Sequence, residues 1–218
     1  MFGPRAIAWW SLRTMADGVA VEGLDRVPRE GPVLLAARHY HHLLDGAVLV
    51  RHLARPVHIV VGLDWVANAW QRRWMERACA WARYPVILRP ATAGTAGGYS
   101  ANEVRRYLRS GLRDATALLR DGRVVLVFPE GYPVVDPTAR DAAPRARDAG
   151  GLLPFAPGFR SIAAAARRAG ARDVAIVPVG FRYERRGARW RITARFGSAL
   201  GGDADVASVA DAVRELSQ

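Results

Sequence analysis

The sequence predicts an α/β fold, a single layered domain with one mixed central sheet flanked by helices. Three observations predict it. Apolar runs of strand length, residues 33–37, 124–128 and 174–179, each end in turn-forming or charged residues. Segments with helical spacing lie between them, the clearest being Val104, Leu108, Leu112, Ala115 and Leu119. Strands that alternate with helices bury both faces of a sheet, which produces layers. At 218 residues, 50% of them hydrophobic, the chain suits one domain with a substantial core. Neither repeats nor a second globular unit are visible.

In chain order, residues 2–16 set Phe2, Ile7, Trp9, Trp10, Leu12 and Met15 among Arg5 and Arg13. That pattern predicts a helix lying in a membrane interface with Trp at headgroup depth, or else one packed on the domain. Residues 1–17 are thus expected to form an N-terminal interfacial helix and 18–218 the main domain. Residues 19–24 and 33–37 read as strands separated by Pro28 and the Gly31-Pro32 turn. Residues 43–53 have helical character, and 57–62 read as another buried strand. Residues 64–83 hold Trp65, Trp70, Trp74 and Trp81, of which the last three share one helical face. Such a stripe ordinarily faces a core, while the neighbouring Arg72, Arg73 and Arg77 suit a membrane-facing or acyl-chain-facing role.

Residues 86–88 form a short strand, and the small, Gly-rich 91–99 a loop. Ser100-Ala101-Asn102-Glu103 is a capping-box pattern that opens a helix running to the Asp121-Gly122 stop. The proline-bearing segment 132–151 reads as a long surface loop. Residues 157–170 are helical, and 174–179 are a strand. Residues 181–184 and 190–196 suggest a hairpin turning at Arg186-Gly187, and Val206, Val209, Val213 and Leu216 mark a closing amphipathic helix.

The net charge is +12, and all 32 basic residues are arginine. A field of that sign attracts polyanions. Anionic lipid headgroups favour it by about 1 kcal/mol per well-placed basic residue, and nucleic acid does so by counterion release. The basic residues are dispersed, and neither RNA-binding nor zinc-finger patterns occur, so nucleic acid is not an expected partner. Cys79 is the sole cysteine, which excludes an intramolecular disulfide and a cysteine-based metal site. The apolar run 6–10 is too short to span a bilayer, and no cleavage site follows it, which argues against a signal peptide.

The most chemically loaded stretch is residues 36–46, where His39, His41, His42 and Asp45 follow the strand 33–37. A neutral imidazole can take a proton from a hydroxyl, and a carboxylate on its other nitrogen fixes the tautomer and stabilises the imidazolium. If the chain turns from strand to helix at 40–42, Asp45 can point back at His39. A metal site is disfavoured because no further histidine cluster completes a ligand set. Downstream, Val127-Phe128-Pro129-Glu130-Gly131 is a second apolar strand ending in a charged turn.

Together these blocks resemble the glycerolipid acyltransferase family, which includes lysophosphatidate (1-acylglycerol-3-phosphate) acyltransferases. The family's first block is usually Asn-His, four residues, then Asp. Here five residues separate His39 from Asp45, and Arg38 stands in place of the Asn. That spacing leaves His41 and His42 open as alternatives to His39, and it predicts a bulged turn that still lets His39 face Asp45. Phe128-Pro129-Glu130-Gly131 matches the third block, although Tyr132 replaces its usual Thr. Tyr84-Pro85-Val86-Ile87-Leu88-Arg89 is similar to the second block and Val177-Pro178-Val179-Gly180 to the fourth. Order and spacing agree over roughly residues 20–200.

The resemblance implies a mostly parallel sheet and makes 18–218 an acyltransferase domain. It implies transfer of a fatty acyl group from acyl-CoA or acyl carrier protein to a hydroxyl of a lysophospholipid-like or glycerol-phosphate-like acceptor, with no cofactor beyond the donor. His39 would be the general base, oriented by Asp45. Arg89 would hold the acceptor's phosphate, and Phe128, Pro129, Glu130 and Gly131 would form the rest of the acceptor site, Glu130 accepting hydrogen bonds from a hydroxyl or pairing with an arginine. An anionic membrane surface is the expected partner, which places the protein in the cytoplasm at the inner face of the cell membrane. The rival reading is a non-catalytic basic protein that binds anionic lipid.

Overall fold

The computed structural model describes residues 3–66, 68–90, 99–135, 147–148 and 150–218. The apolar run Val33–Ala37 becomes strand β2 with every residue buried, as a continuous apolar run demands when both sheet faces are covered. β1 (Ala16–Glu22) precedes it; β3 (Val57–Ile59), β6 (Val124–Val127), β7 (Ala175–Arg186) and β8 (Arg189–Phe196) follow. The six strands pair in the order β1-β8-β7-β2-β6-β3. All neighbours are parallel except β7 and β8, which form an antiparallel hairpin. Gly187 turns that hairpin with φ of 59°.

Alternation along β2 divides the core into two layers. Val33, Leu35 and Ala37 point to the side covered by α2 (Leu44–His52) and α1 (Pro4–Met15), where Leu44, Val48, Leu49, Ala8 and Leu12 are buried with them. Leu34 and Ala36 point to the opposite layer. There α4 (Ala101–Arg120), α5 (Gly158–Arg168) and α6 (Val206–Leu216) contribute Leu119, Phe159, Ile162 and Val209. The expected capping box at Ser100 and Glu103 is present, each side chain accepting from the other residue's backbone N–H.

Residues 57–62, read as one strand, are two. β3 stays on β6 through Ile59, and Val60 N–H still donates to Leu126 O at 2.9 Å. From Val61 the chain changes partner, because β4 (Val61–Gly62) pairs with β5 (Val86–Ile87) in a separate two-stranded ribbon. The strand expected over 174–179 and the hairpin arm expected over 181–184 are one strand, β7, whose outer half meets β8. α3 (Ala69–Ala82) and the ribbon enclose a small third cluster of Leu63, Val66, Leu88, Tyr99 and Val104. The loop expected over 91–99 lies outside the described residues except for Tyr99, as does most of the loop expected over 132–151.

Because β2 and β6 are parallel neighbours, their carboxyl ends open on the same side of the sheet. That edge is where α/β sheets present ligands, and here it brings residues 38–42 against 128–131.

Candidate active site

His39 leaves the end of β2, and its Nδ1 lies 3.1 Å from Asp45 Oδ2. The one-residue expansion of the turn is taken up by backbone: Tyr40 N–H and His41 N–H both donate to the same oxygen, at 2.7 and 2.9 Å. Asp45 is wholly buried in the first turn of α2. Its other oxygen accepts the Tyr183 hydroxyl at 2.5 Å. Four donors thus surround one carboxylate, which is how a buried charge is tolerated. Tyr183 is held in its protonated form, since burial and then the Asp45 charge push its pKa well above the ordinary tyrosine value.

His41 and His42 take other tasks. The His41 ring is 2% exposed, and its Nδ1 accepts from Leu43 N–H and Leu44 N–H at 3.3 and 3.4 Å. It caps the free amides at the start of α2, a post that requires an unprotonated Nδ1. Burial, reinforced by the neighbouring His42, lowers its pKa to about 4. His42 is exposed and stacks on His41 with ring centroids 4.7 Å apart. Of the three histidines, His39 reaches Asp45 with its ring and His41 with its backbone N–H; no described hydrogen bond joins the His41 or His42 ring to Asp45.

The strand-end block 128–131 forms the other wall. Phe128 stacks on the His39 ring at 4.1 Å and 15°, fixing the imidazole plane. Glu130 Oε1 accepts His39 N–H at 2.7 Å, and Oε2 accepts Leu153 N–H at 2.8 Å and Arg147 Nη1 at 3.0 Å. Of the two partners expected for Glu130, an acceptor hydroxyl or an arginine, the structure supplies the arginine. The Glu130 side chain is fully buried, and burial raises its pKa, opposed by these hydrogen bonds and by the charges of Arg147 and Arg38. Gly131 has φ of 72°, a left-handed conformation that glycine adopts without cost and that turns the chain back. Residues 134 and 135 then return to the histidine turn, Val134 N–H donating to His39 O and Val135 N–H to Tyr40 O at 3.1 and 2.7 Å.

Arg89 comes from beyond β5 to the same turn. Its Nε donates to Asp64 Oδ2 at 2.7 Å, Nη1 reaches Gly131 O, and the guanidinium lies 3.7 Å over the Tyr132 ring. The residue standing where the family has Thr therefore supplies a flat face for this arginine. Arg38, in place of the family's Asn, is buried and points its guanidinium at the carbonyls of Phe181, Ser217 and Gly151 at 3.4–3.5 Å. Tyr183, Asp64 and Arg147 were not singled out in the sequence; all three act through pairings remote in the chain. Cys79 is buried, and burial followed by the Glu76 charge pushes its thiol up to about 11, the reverse of an activated nucleophile. Among the described residues no cluster of three or more His, Cys, Asp or Glu could hold a metal ion.

A family model described as Acyltransferase matches residues 18–182. Among solved structures, that of the 1-acyl-sn-glycerophosphate (LPA) acyltransferase PlsC from Thermotoga maritima is similar, with a TM-score of 0.60 and 15% identity over 97% of this chain and 76% of that one. No curated protein matches.

Proposed function

The chain belongs to the acyltransferase family, and from that premise we propose that it moves a fatty acyl group from acyl-CoA or acyl carrier protein to the hydroxyl of a lysophospholipid-like or glycerol-phosphate-like acceptor. The observation that supports this reading is the His39 Nδ1 contact with buried Asp45 at 3.1 Å. With Nδ1 so occupied, Nε2 faces the acceptor and takes the hydroxyl proton as the oxygen attacks the thioester carbonyl. The tetrahedral intermediate collapses, the C–S bond breaks, and the imidazolium returns the proton to the leaving thiolate. Asp45 stabilises the imidazolium in between. General base catalysis of this kind contributes about 10²-fold to 10⁴-fold.

Arg89, set beside Gly131 by Asp64, is the cation that attracts the acceptor's phosphate to this end of the site. Phe128, Pro129, Glu130 and Gly131 form the acceptor side of the site, with Glu130 shaping it through the His39 and Leu153 backbones and Arg147. The reaction runs at an anionic membrane surface, at the inner face of the cell membrane, where α1 (Pro4–Met15) lies along the interface; Ala16 and Asp17, expected in that helix, instead open β1. α1 buries Ala8 and Leu12 against the domain while Ile7, Trp9 and Trp10 are 53%, 48% and 65% exposed, so one helix serves both the packing and the interfacial reading. No helix among the described residues is long and apolar enough to cross a membrane.

The test is thiol release from acyl-CoAs of several chain lengths with a panel of lysophospholipids, comparing wild type with His39→Ala and His41→Ala. Acceptor-dependent release that disappears in His39→Ala and persists in His41→Ala is the expected result. Release that persists in His39→Ala removes it as the base. If neither acyl-CoA nor acyl carrier protein supports release while wild type binds anionic vesicles, the non-catalytic lipid-binding reading takes over.

A further inference from the structure

Helix α3 wears its apolar face outward. Cys79 alone among its fourteen residues is buried, whereas Trp70, Trp74 and Trp81 are 70%, 54% and 46% exposed. At 3.6 residues per turn these three rings fall within about 40° of one another, with Arg77 at the border of the same sector. Met75, which packs on the third cluster, Cys79, and Arg72, whose guanidinium lies 4.0 Å over the Tyr99 ring, occupy the opposite side. The helix is therefore docked by its weaker, mixed face, and the tryptophan stripe points directly away from the protein. Trp65, ahead of the helix, is also exposed, at 41%, and donates from Nε1 to Gly62 O at 2.9 Å. Contiguous exposed aromatics of this size mark an interaction surface.

Charge identifies the occupant. The exposed charged residues of α3 are Arg73 and Arg77, with Arg83 immediately beyond, and the helix's one acid, Glu76, is turned inward to accept the Tyr107 hydroxyl. Arg77 sits 5.9 Å over the Trp74 ring. Indoles suit the boundary between acyl chains and headgroups, with the ring buried and the N–H wet, and guanidinium groups beside them suit lipid phosphates. A second copy of this chain meeting the same face would set arginines against arginines.

We propose that the outward face of α3, led by Trp65, is the surface by which the protein docks on an anionic lipid bilayer. Resting on the acyl-transfer reading above, this placement has a consequence for the acceptor: Asp64, adjacent to Trp65, holds Arg89, so docking sets the phosphate-attracting cation beside the membrane from which a lysophospholipid arrives.

The experiment uses the full chain with phosphatidylglycerol–phosphatidylcholine vesicles, against phosphatidylcholine alone, read by co-sedimentation and by quenching of tryptophan fluorescence with brominated acyl chains. Combined Trp70→Ser, Trp74→Ser and Trp81→Ser should weaken binding by about tenfold or more. Arg73→Glu with Arg77→Glu, which keeps the indoles, should weaken binding to the anionic vesicles selectively. Both variants should transfer a short acyl chain to a monomeric, water-soluble acceptor as wild type does. The docking surface is overturned if wild type fails to bind, if both variants bind like wild type, or if the tryptophan variant merely changes from dimer to monomer with vesicle binding unaltered. A wild type that docks through α3 yet transfers no acyl group overturns the enzymatic reading and leaves the surface standing.

Discussion

The histidine turn and helix α3 spend their polar and apolar groups in opposite ways. In the turn, Asp45 is sealed from water and meets four donors, Glu130 meets three, and the His39 ring is clamped between Asp45 and Phe128. On α3, three large indoles are about half exposed or more. A site that performs chemistry benefits from geometry set before substrate arrives. A surface that meets a fluid partner needs complementary chemistry rather than fixed geometry. The difference predicts that removing a partner of the Asp45 carboxylate damages folding and turnover together, whereas substitutions of the outward indoles of α3 leave the fold intact and change only what the protein adheres to.

The sharpest way to break that contrast is Asp45→Ala. It strands the Tyr183 hydroxyl, two backbone amides and His39 Nδ1 in a buried pocket. A loss of about 3–5 kcal/mol in stability is expected, together with about 10²-fold to 10⁴-fold in turnover. Thermal melting and thiol release on the same preparation measure both; an unchanged melting temperature would show that the turn is less tightly set than its hydrogen bonds indicate. Tyr183→Phe is the graded version, removing one of the four donors. It should cost about 1–3 kcal/mol and lower kcat with KM little changed, because Tyr183 touches Asp45 and positions the pair from behind. A change confined to stability would reduce Tyr183 to a packing residue.

What the sequence made legible follows from how local each feature is. β2 has the expected bounds, because five apolar residues between turns have few alternatives, and the box at Ser100 and Glu103 is decided within four residues. The approach of His39 to Asp45 spans six positions and was accessible once a strand-to-helix turn was assumed. Tyr183 is 138 positions from Asp45, and no local pattern distinguishes it from any other aromatic on a strand. The break at Val60 depends on which strand offers the next free edge, a tertiary fact. For α3, spacing reveals that three tryptophans share a face but is silent on the direction of that face. Spacing suits a core-facing stripe and the adjacent arginines an outward one; the third cluster takes Met75 from this helix, and Cys79 is its buried residue.

His41 gives the turn a pH dependence. His41 has a folded pKa of about 4 against 6.5 for the free side chain. Between those values the unfolded chain binds the proton and the folded chain does not, so stability is complete above about pH 6.5 and falls as the pH drops toward 4, by up to about 3 kcal/mol from this residue. Protonation at Nδ1 would also abolish its acceptance from Leu43 and Leu44. His58, lowered by its own burial, contributes in the same sense. Denaturant midpoints across that range should thus show a shallower acid limb in His41→Ala than in wild type, on a lower plateau. Equal limbs would mean that His41 is not held neutral by the fold.

The smallest expected effect is the most informative about α3. Trp70 is the most exposed of the tryptophans, its described ring contact is with Trp74 at 5.9 Å, and the N-cap of the helix is provided by the Asn68 side chain, not by the indole. Trp70→Ser should therefore change stability by no more than about 0.5 kcal/mol, measured by urea unfolding without lipid. A residue selected for packing cannot be lost so cheaply, since a large aromatic removed from a core costs about 3–5 kcal/mol. If the substitution destabilises on that scale, the stripe is serving the fold and its outward direction has no functional meaning. If it does not, an indole has been kept in water at no benefit to folding, and its value must lie in what covers it.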